Sequence, residues 1–375
     1  MKKNSDIHLH IISFDIPYPA NYGGVIDVFY KAKALAEAGI KIHLHCFEEG
    51  EERPPELQKL FYKVDYYRHD MSIKKLFKSN PFIVESRRSE QLIQNLLLDD
   101  YPILMEGLHC TALLSDTRLH QRKRLVRTHN IEHDYYSNLA QAEKNPKRKL
   151  YFLTEAIKLK KYEKILDKAD HLFTIAQTDQ DYFSAKYKSA VYIPAFHPHK
   201  NVKSKTGQGA YVLYHGNLAV TENRSAVTFL AKQVFNDLKI PLKIAGLNPP
   251  SSIRGLAAEN PSIEIIANPS DQELNELIQN AQVNILYTEQ ATGLKLKLLN
   301  ALYNGRFVLA NEKMLRGSGL EKLCMVEDTP LEMKKQLKAL MEMEFTQEQK
   351  VERLDFLKGL YDERKNVKKI IDLIV

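Results

Sequence analysis

Residues 7–47 read IHLHIISFDIPYPANYGGVIDVFYKAKALAEAGIKIHLHCF. Ile7 to Phe14 is rich in β-branched and aromatic residues, as a strand should be, and the Pro17, Pro19, Gly23, Gly24 cluster ends it in a loop. A helix fits Val25 to Ala38, and Gly39 stands where a left-handed helix terminus is wanted. Ile40, Ile42, Leu44 and Cys46 then alternate with Lys41, His43 and His45, the period-2 pattern of a second strand. Strand, helix and strand make one βαβ unit, which implies parallel strands joined by a right-handed crossover.

Working outward, strands are expected at Lys63 to Tyr67, Pro102 to Glu106, Arg124 to Thr128, His171 to Ile175 and Ala190 to Ile193. The segments between them are mostly helical in character. The longest, from about Asp134 to Ala169, reads as two helices broken near Asn145 and Pro146. Residues 195–209 (AFHPHKNVKSKTGQG) show no periodicity and read as an interdomain linker. Beyond them the alternation restarts, with strands at Tyr211 to Tyr214, Leu242 to Ala245, Ile263 to Ile266, Val283 to Tyr287, Phe307 to Ala310 and Leu323 to Val326. The expected fold class is therefore α/β: two Rossmann-like doubly wound domains, residues 1–197 and 198–355, facing a central cleft. Residues 356–375 are expected to form a C-terminal helix packing back on the first domain.

Composition supports two soluble domains. The chain has 375 residues, too many for one ordinary core, with 44% hydrophobic and 27% charged residues. No apolar run approaches the roughly 18 to 20 residues that a bilayer span needs, and Met1 to Asp6 is polar where a secretory leader would be apolar. Three scattered cysteines indicate neither a disulfide framework nor a cysteine zinc site. A cytoplasmic protein is expected. The formal charge is +7, with basic clusters at Arg122, Lys123, Arg124, at Lys147, Arg148, Lys149 and at Lys158, Lys160, Lys161. They form either a solvated helix face or a face for phosphates or anionic lipid, which would make the protein peripheral to the inner side of a membrane. No aromatic-interleaved RNA motif or zinc-finger spacing points to nucleic acid.

Ligands of open parallel sheets bind beyond the carboxyl ends of the strands, and three such junctions carry chemistry. At Asn21 to Val25, Gly23 and Gly24 would let a ligand approach the backbone at a helix N-terminus, although a tight turn without a ligand needs the same residues. At Arg127 to His133, polar side chains stand at a strand mouth before a long helix, suited to hydrogen-bonding a sugar or to capping. Residues 129–133 also spell H-x-x-E-H, in which His129 and His133 would ligate zinc with Glu132 as base. Against this, His129 directly follows a strand and no third ligand is identifiable. At Tyr287 to Ala301, a helix starting near Gly293 offers its N-terminus, with Lys295 or Lys297 alongside, to a diphosphate; the alternative is an ordinary amphipathic helix with solvated lysines.

These junctions, in this order, resemble glycosyltransferase family 4 and family 1-like relatives of the GT-B class. The resemblance runs from Ile11 to about Leu320 through "LAEAGIKIHLHCF", "LVRTHNIEHDYY", "YEKILDKADHLFTIAQTDQDYF", "LYHGNLAVTENRSAVTFL", "LKIAG" and "GLKLKLLNALYNGRFVLAN". It implies a retaining transfer of a sugar from a UDP- or GDP-linked donor to a glycan or lipid-linked acceptor in cell-surface polysaccharide synthesis. No metal ion or cofactor is implied. By position, Gly23 and Gly24 would lie by the diphosphate and acceptor, Tyr22 and Glu132 by the acceptor, and catalytic His129 by the donor sugar. Donor binding would fall to Gly216, Asn217, Thr292, Gly293, Leu294, Lys295, Lys297 and Asn300. The chain departs from its relatives in having Thr292 and Asn300 where many carry glutamates, and Asn217 and Asn223 where many carry arginine and lysine. A catalytically weak or inactive nucleotide- or glycan-binding protein is thus the alternative.

Overall fold

The computed structural model describes residues 7–289 and 296–375. It divides into two compact units, one comprising residues up to Pro198 together with Tyr361–Val375, the other His199–Leu360. In the first, β1 (His8–Ser13), β2 (Lys41–Glu48), β3 (Lys63–Arg68), β4 (Ile103–Glu106), β5 (Arg124–Thr128), β6 (His171–Thr174) and β7 (Ala190–Tyr192) form a parallel sheet in the order β3-β2-β1-β4-β5-β6-β7. In the second, β8 (Val212–His215), β9 (Leu242–Gly246), β10 (Ile263–Ala267), β11 (Val283–Leu286), β12 (Phe307–Ala310) and β13 (Met325–Val326) form another, in the order β10-β9-β8-β11-β12-β13. Each strand falls within a residue or two of its expected place, because period-2 alternation and helical segments coincide along the whole chain.

Alternation also explains why both faces of the first sheet are dry. Ile103, Met105, Val126 and Leu172 pack on one side with Leu159, Leu166 and Phe183 from the helices. Their neighbours Leu104, Leu125 and Phe173 pack on the other, with Phe29, Ala32 and Leu35 of helix Gly23–Glu37. The same side receives Val367, Ile370 and Ile374 of the last helix, Glu363–Ile374. Asp362 caps that helix by accepting from the Lys365 N–H. The tail is thereby split: helix Gln347–Leu360 belongs to the second unit, where Arg353 donates to the carbonyls of Leu302 and Gly305.

The segment 195–209 has no helix or strand, yet it is not a loose tether. Phe196, Val202 and Ser204 are buried. The Phe196 N–H donates to Asp27 at 2.8 Å in the first unit, and the Lys203 N–H to the Tyr303 carbonyl at 2.6 Å in the second. Each end is thus fastened to its own unit. Buried backbone must find partners, and here it finds them in side chains and helix ends.

At the amino-terminal ends of the strands, away from where ligands bind parallel sheets, β1 and β2 carry a chain of rings. Tyr67 Oη, which accepts from Asn95, is 2.8 Å from His45 Nδ1; His45 Nε2 is 2.8 Å from His10 Nδ1; His10 Nε2 is 2.9 Å from Asp99. One proton per ring satisfies every link, which defines both neutral tautomers. Burial lowers His10 to about 4 despite Asp99, and burial above all lowers His45 and His43 too. Unfolded histidine titrates near 6.5, so the unfolded chain takes up protons first as pH falls. Stability should therefore be complete above about pH 6.5 and fall towards pH 4, by up to about 1.4 kcal/mol per pH unit for each fully buried ring. Urea midpoints measured across that window check this; a flat profile would show that the cluster is not held neutral.

Candidate functional site

At the carboxyl ends of β1, β4 and β5, four side chains form a closed electrostatic unit. Asp27 and Lys31, four residues apart on helix Gly23–Glu37, are both buried. The Lys31 ammonium lies 3.1 Å from Asp27 and 2.8 Å from Glu106, the last residue of β4. Arg127, on β5, donates to both Asp27 oxygens, at 2.9 and 2.8 Å, and to the Ile193 carbonyl at 2.6 Å. Burial pushes the Asp27 carboxyl up, but Arg127 and then Lys31 outweigh it and hold it well below the usual range. Glu106 behaves alike, with burial opposed by Lys31 and His129 and the net shift downward. Two carboxylates against an ammonium and a guanidinium leave no net charge in the interior.

His129 stands at the rim of this unit, its side chain 10% exposed, with Nε2 3.0 Å from Glu106. The carboxylate can only accept, so Nε2 carries the proton and a neutral ring presents Nδ1 as an acceptor. The Phe14 ring meets His129 edge-on at 5.4 Å. Phe14 also explains Gly24, where a Cβ would come within 2.7 Å of that ring, whereas one on Gly23 would meet nothing within 4 Å. Tyr22, 46% exposed, donates its hydroxyl to Asp15 at 2.6 Å. Asp27, Glu106 and His129 have ligand atoms within 4.8 Å of one another, but Lys31 and Arg127 already neutralise both carboxylates, and a metal ion would have to displace an ammonium.

In the second unit, β8 ends at His215, followed by Gly216 and Asn217. A Cβ on Gly246 would collide with the Gly216 carbonyl at 1.9 Å, so the two loops approach as closely as glycine permits. Asn217 accepts from the Ala219 N–H at 3.0 Å, and Asn223 donates to the Asn217 carbonyl at 2.9 Å. The Lys297 ammonium, from helix Leu296–Asn304, reaches across to Asn223 Oδ1 at 3.1 Å and lies 5.2 Å above the Tyr214 ring. Burial, helped by that ammonium, lowers His215 to about 3. A positive charge thus stands at Asn223, which itself holds the Asn217 carbonyl, although Asn217 and Asn223 are neutral.

No protein-family model matches the chain. A protein of Klebsiella pneumoniae described as an uncharacterized 44.6 kDa protein in cps region is 27% identical over 346 residues, 86% of this chain and 88% of that one. Among solved structures, the chain is similar to sucrose-phosphate synthase from Thermosynechococcus elongatus, with a TM-score of 0.67, 14% identity and 98% of both chains covered. S. aureus TarM in complex with fondaparinux, α-GlcNAc-glycerol and UDP gives 0.67 at 10% identity, covering 98% of this chain and 99% of that one. Anabaena HepE in complex with UDP and glucose gives 0.61 at 10%, covering 98% of both. The chain has the GT-B fold.

Of the residues singled out by sequence, the first GT-B unit brings Tyr22, Gly24 and His129 to the carboxyl ends of its central strands. Glu132 is different: it is 4% exposed, and burial foremost, with Asp179 adding, raises it to about 7 against a hydrogen bond from Asn130. It is enclosed in protein rather than offered to an acceptor. The zinc reading of His129, Glu132 and His133 is corrected, because helix Glu132–Ala142 starts after His129 and the two histidines do not share a helical face. His129 is held by Glu106, whereas His133 lies 3.0 Å from the Tyr182 hydroxyl. In the second unit Gly216, Asn217 and Lys297 come together, while Asn300 Oδ1 accepts from Asn304 within its own helix at 2.7 Å. Thr292, Gly293, Leu294 and Lys295 lie outside the described residues. Sequence reasoning missed Asp27, Lys31 and Glu106. The available signal for Glu106 was its place at the end of a parallel strand, directly before a glycine.

Proposed function

We propose that the protein is a glycosyltransferase that takes its sugar from a nucleoside diphosphate, UDP- or GDP-linked, and passes it to a glycan or lipid-linked acceptor with retention and without a metal ion. The observation that carries this reading is the Lys297 ammonium held at Asn223, the residue that donates to the Asn217 carbonyl. A departing diphosphate needs fixed positive charge, and Lys297 supplies in space what Asn217 and Asn223 do not. Gly293, Leu294 and the amides near them, with Lys295 and Thr292, complete the diphosphate site in this proposal, and Asn300 takes the ribose. His129, with Nδ1 turned to a sugar hydroxyl, serves the donor; Tyr22 and Gly23 serve the acceptor. The UDP complexes of TarM and HepE support the choice of donor, and the relative in a cps region supports a role in cell-surface polysaccharide synthesis.

Thermal shift with UDP, GDP and their sugar conjugates tests the reading. One nucleotide series is expected to stabilise the protein, and Lys297→Ala to weaken it by about 10- to 100-fold, the worth of a charged hydrogen bond. Stabilisation by none of these ligands would remove the proposal. A second reading, binding without transfer, is favoured by Asn300, which is neutral and has its acceptor oxygen engaged by Asn304. Release of free nucleotide diphosphate from a bound donor separates the two: turnover excludes the second reading.

A further inference from the structure

The first unit carries an apolar and basic surface that the reading above leaves unused. Helix Pro146–Tyr162 buries Glu155, Ala156 and Leu159. At about 100° per residue, the face opposite carries Leu150, Leu153 and Ile157 within about 60° of arc. These three are 63%, 43% and 58% exposed. Beside them lies the short helical turn Ile73–Phe77, whose Ile73 and Phe77 are 71% and 85% exposed. Lys158 ties the turn to the helix by donating to the Leu76 carbonyl at 2.7 Å, and Glu155 accepts from the Phe82 N–H at 2.6 Å. Singly exposed apolar residues are ordinary; five large ones on two fastened elements are not.

Charge surrounds them. Lys147, Lys160 and Lys161 of the helix, Lys74 of the turn and Lys78 just after it are exposed. At the carboxyl end of the helix, beyond the turn, opens a cavity of about 370 Å³ lined by Ser79, Asn80, Arg88, Lys158, Lys161 and Lys164. Glu85 and Glu155 pair with Arg88 and Lys158, each at 2.9 Å. Lys161 and Lys164 have no ion-pair partner among the described residues. Lysine is depleted from protein interfaces, whereas apolar side chains framed by lysine suit an anionic lipid surface. Among the described residues no helix is long and apolar enough to cross a membrane, so such contact is peripheral.

We propose that this face docks on an anionic phospholipid bilayer. Ile73, Phe77, Leu150, Leu153 and Ile157 enter the headgroup boundary, and the cavity at Arg88, Lys161 and Lys164 receives a lipid phosphate. The proposal is independent of the nucleotide-sugar reading. Its test is sedimentation of the full chain with phosphatidylcholine vesicles, with and without phosphatidylglycerol. Binding is expected only with phosphatidylglycerol and should weaken as salt rises. Phe77→Asp with Ile157→Asp should reduce it at least tenfold, as should Lys161→Glu with Lys164→Glu, with melting temperature and the thermal shift by UDP or GDP unchanged. These exposed positions leave the core intact. Wild-type protein that stays in the supernatant overturns the proposal, as do variants that bind like wild type. Self-association abolished by Phe77→Asp without vesicle binding, or stabilisation by inorganic phosphate alone, overturns it too, in favour of a copy interface or a free-anion site.

Discussion

Asp27→Ala is expected to be the most destabilising single substitution in the first unit. Asp27 accepts from Lys31, from two nitrogens of Arg127 and from the Phe196 N–H, all at 2.8 to 3.1 Å. Removing it leaves an ammonium and a guanidinium facing Glu106 alone, an uncompensated charge in the interior. Breaking a buried pair in this way costs about 3–5 kcal/mol. At about 2–4 °C per kcal/mol for a domain of this size, the first unit should melt roughly 10 °C lower. Asp27→Asn keeps the shape and some hydrogen bonds and should lie between the two. Calorimetry decides: an alanine variant melting within about 2 °C of wild type would mean that the network carries little of the stability.

That network marks the limit of what the sequence made legible. The strands could be placed because each is a local pattern, such as Ile40 to Cys46, and helix Pro146–Tyr162 because Asn145 and Pro146 announce its start. Asp27 and Lys31 are local too, but an i,i+4 acid-base pair on a helix usually faces water. Only Glu106 and Arg127, 75 and 100 positions away, make their burial intelligible. Lys297 could be named from its place at a helix start, but its contact with Asn223, 74 positions away, could not. Segment 195–209 does run from one unit to the other as a linker should, but low periodicity in a loop does not show whether its backbone is fastened by distant partners.

The largest effect on activity is expected at His129, whose position is set from beneath. Glu106 accepts from Nε2, and Lys31 holds Glu106 in turn, so the ring has one tautomer and one orientation before any ligand arrives. In the proposed transfer, that preorganisation places Nδ1 against the donor sugar at no cost in reorganisation at the moment of reaction. His129→Ala should lower kcat for release of nucleotide diphosphate by about 10²- to 10³-fold, the usual loss for one preorganised polar group, with little change in donor KM. Glu106→Gln separates positioning from contact: the amide can still meet Nε2 but lacks the charge that orients the ring. Its kcat should fall less than that of His129→Ala, and adding it to His129→Ala should cost nothing further, because the two act as one unit. Because Glu106 also balances Lys31, melting temperatures must accompany the rates, so that a poorly folded variant is not read as a slow one. An alanine variant within about threefold of wild-type kcat would leave His129 a rim residue and move the chemistry elsewhere.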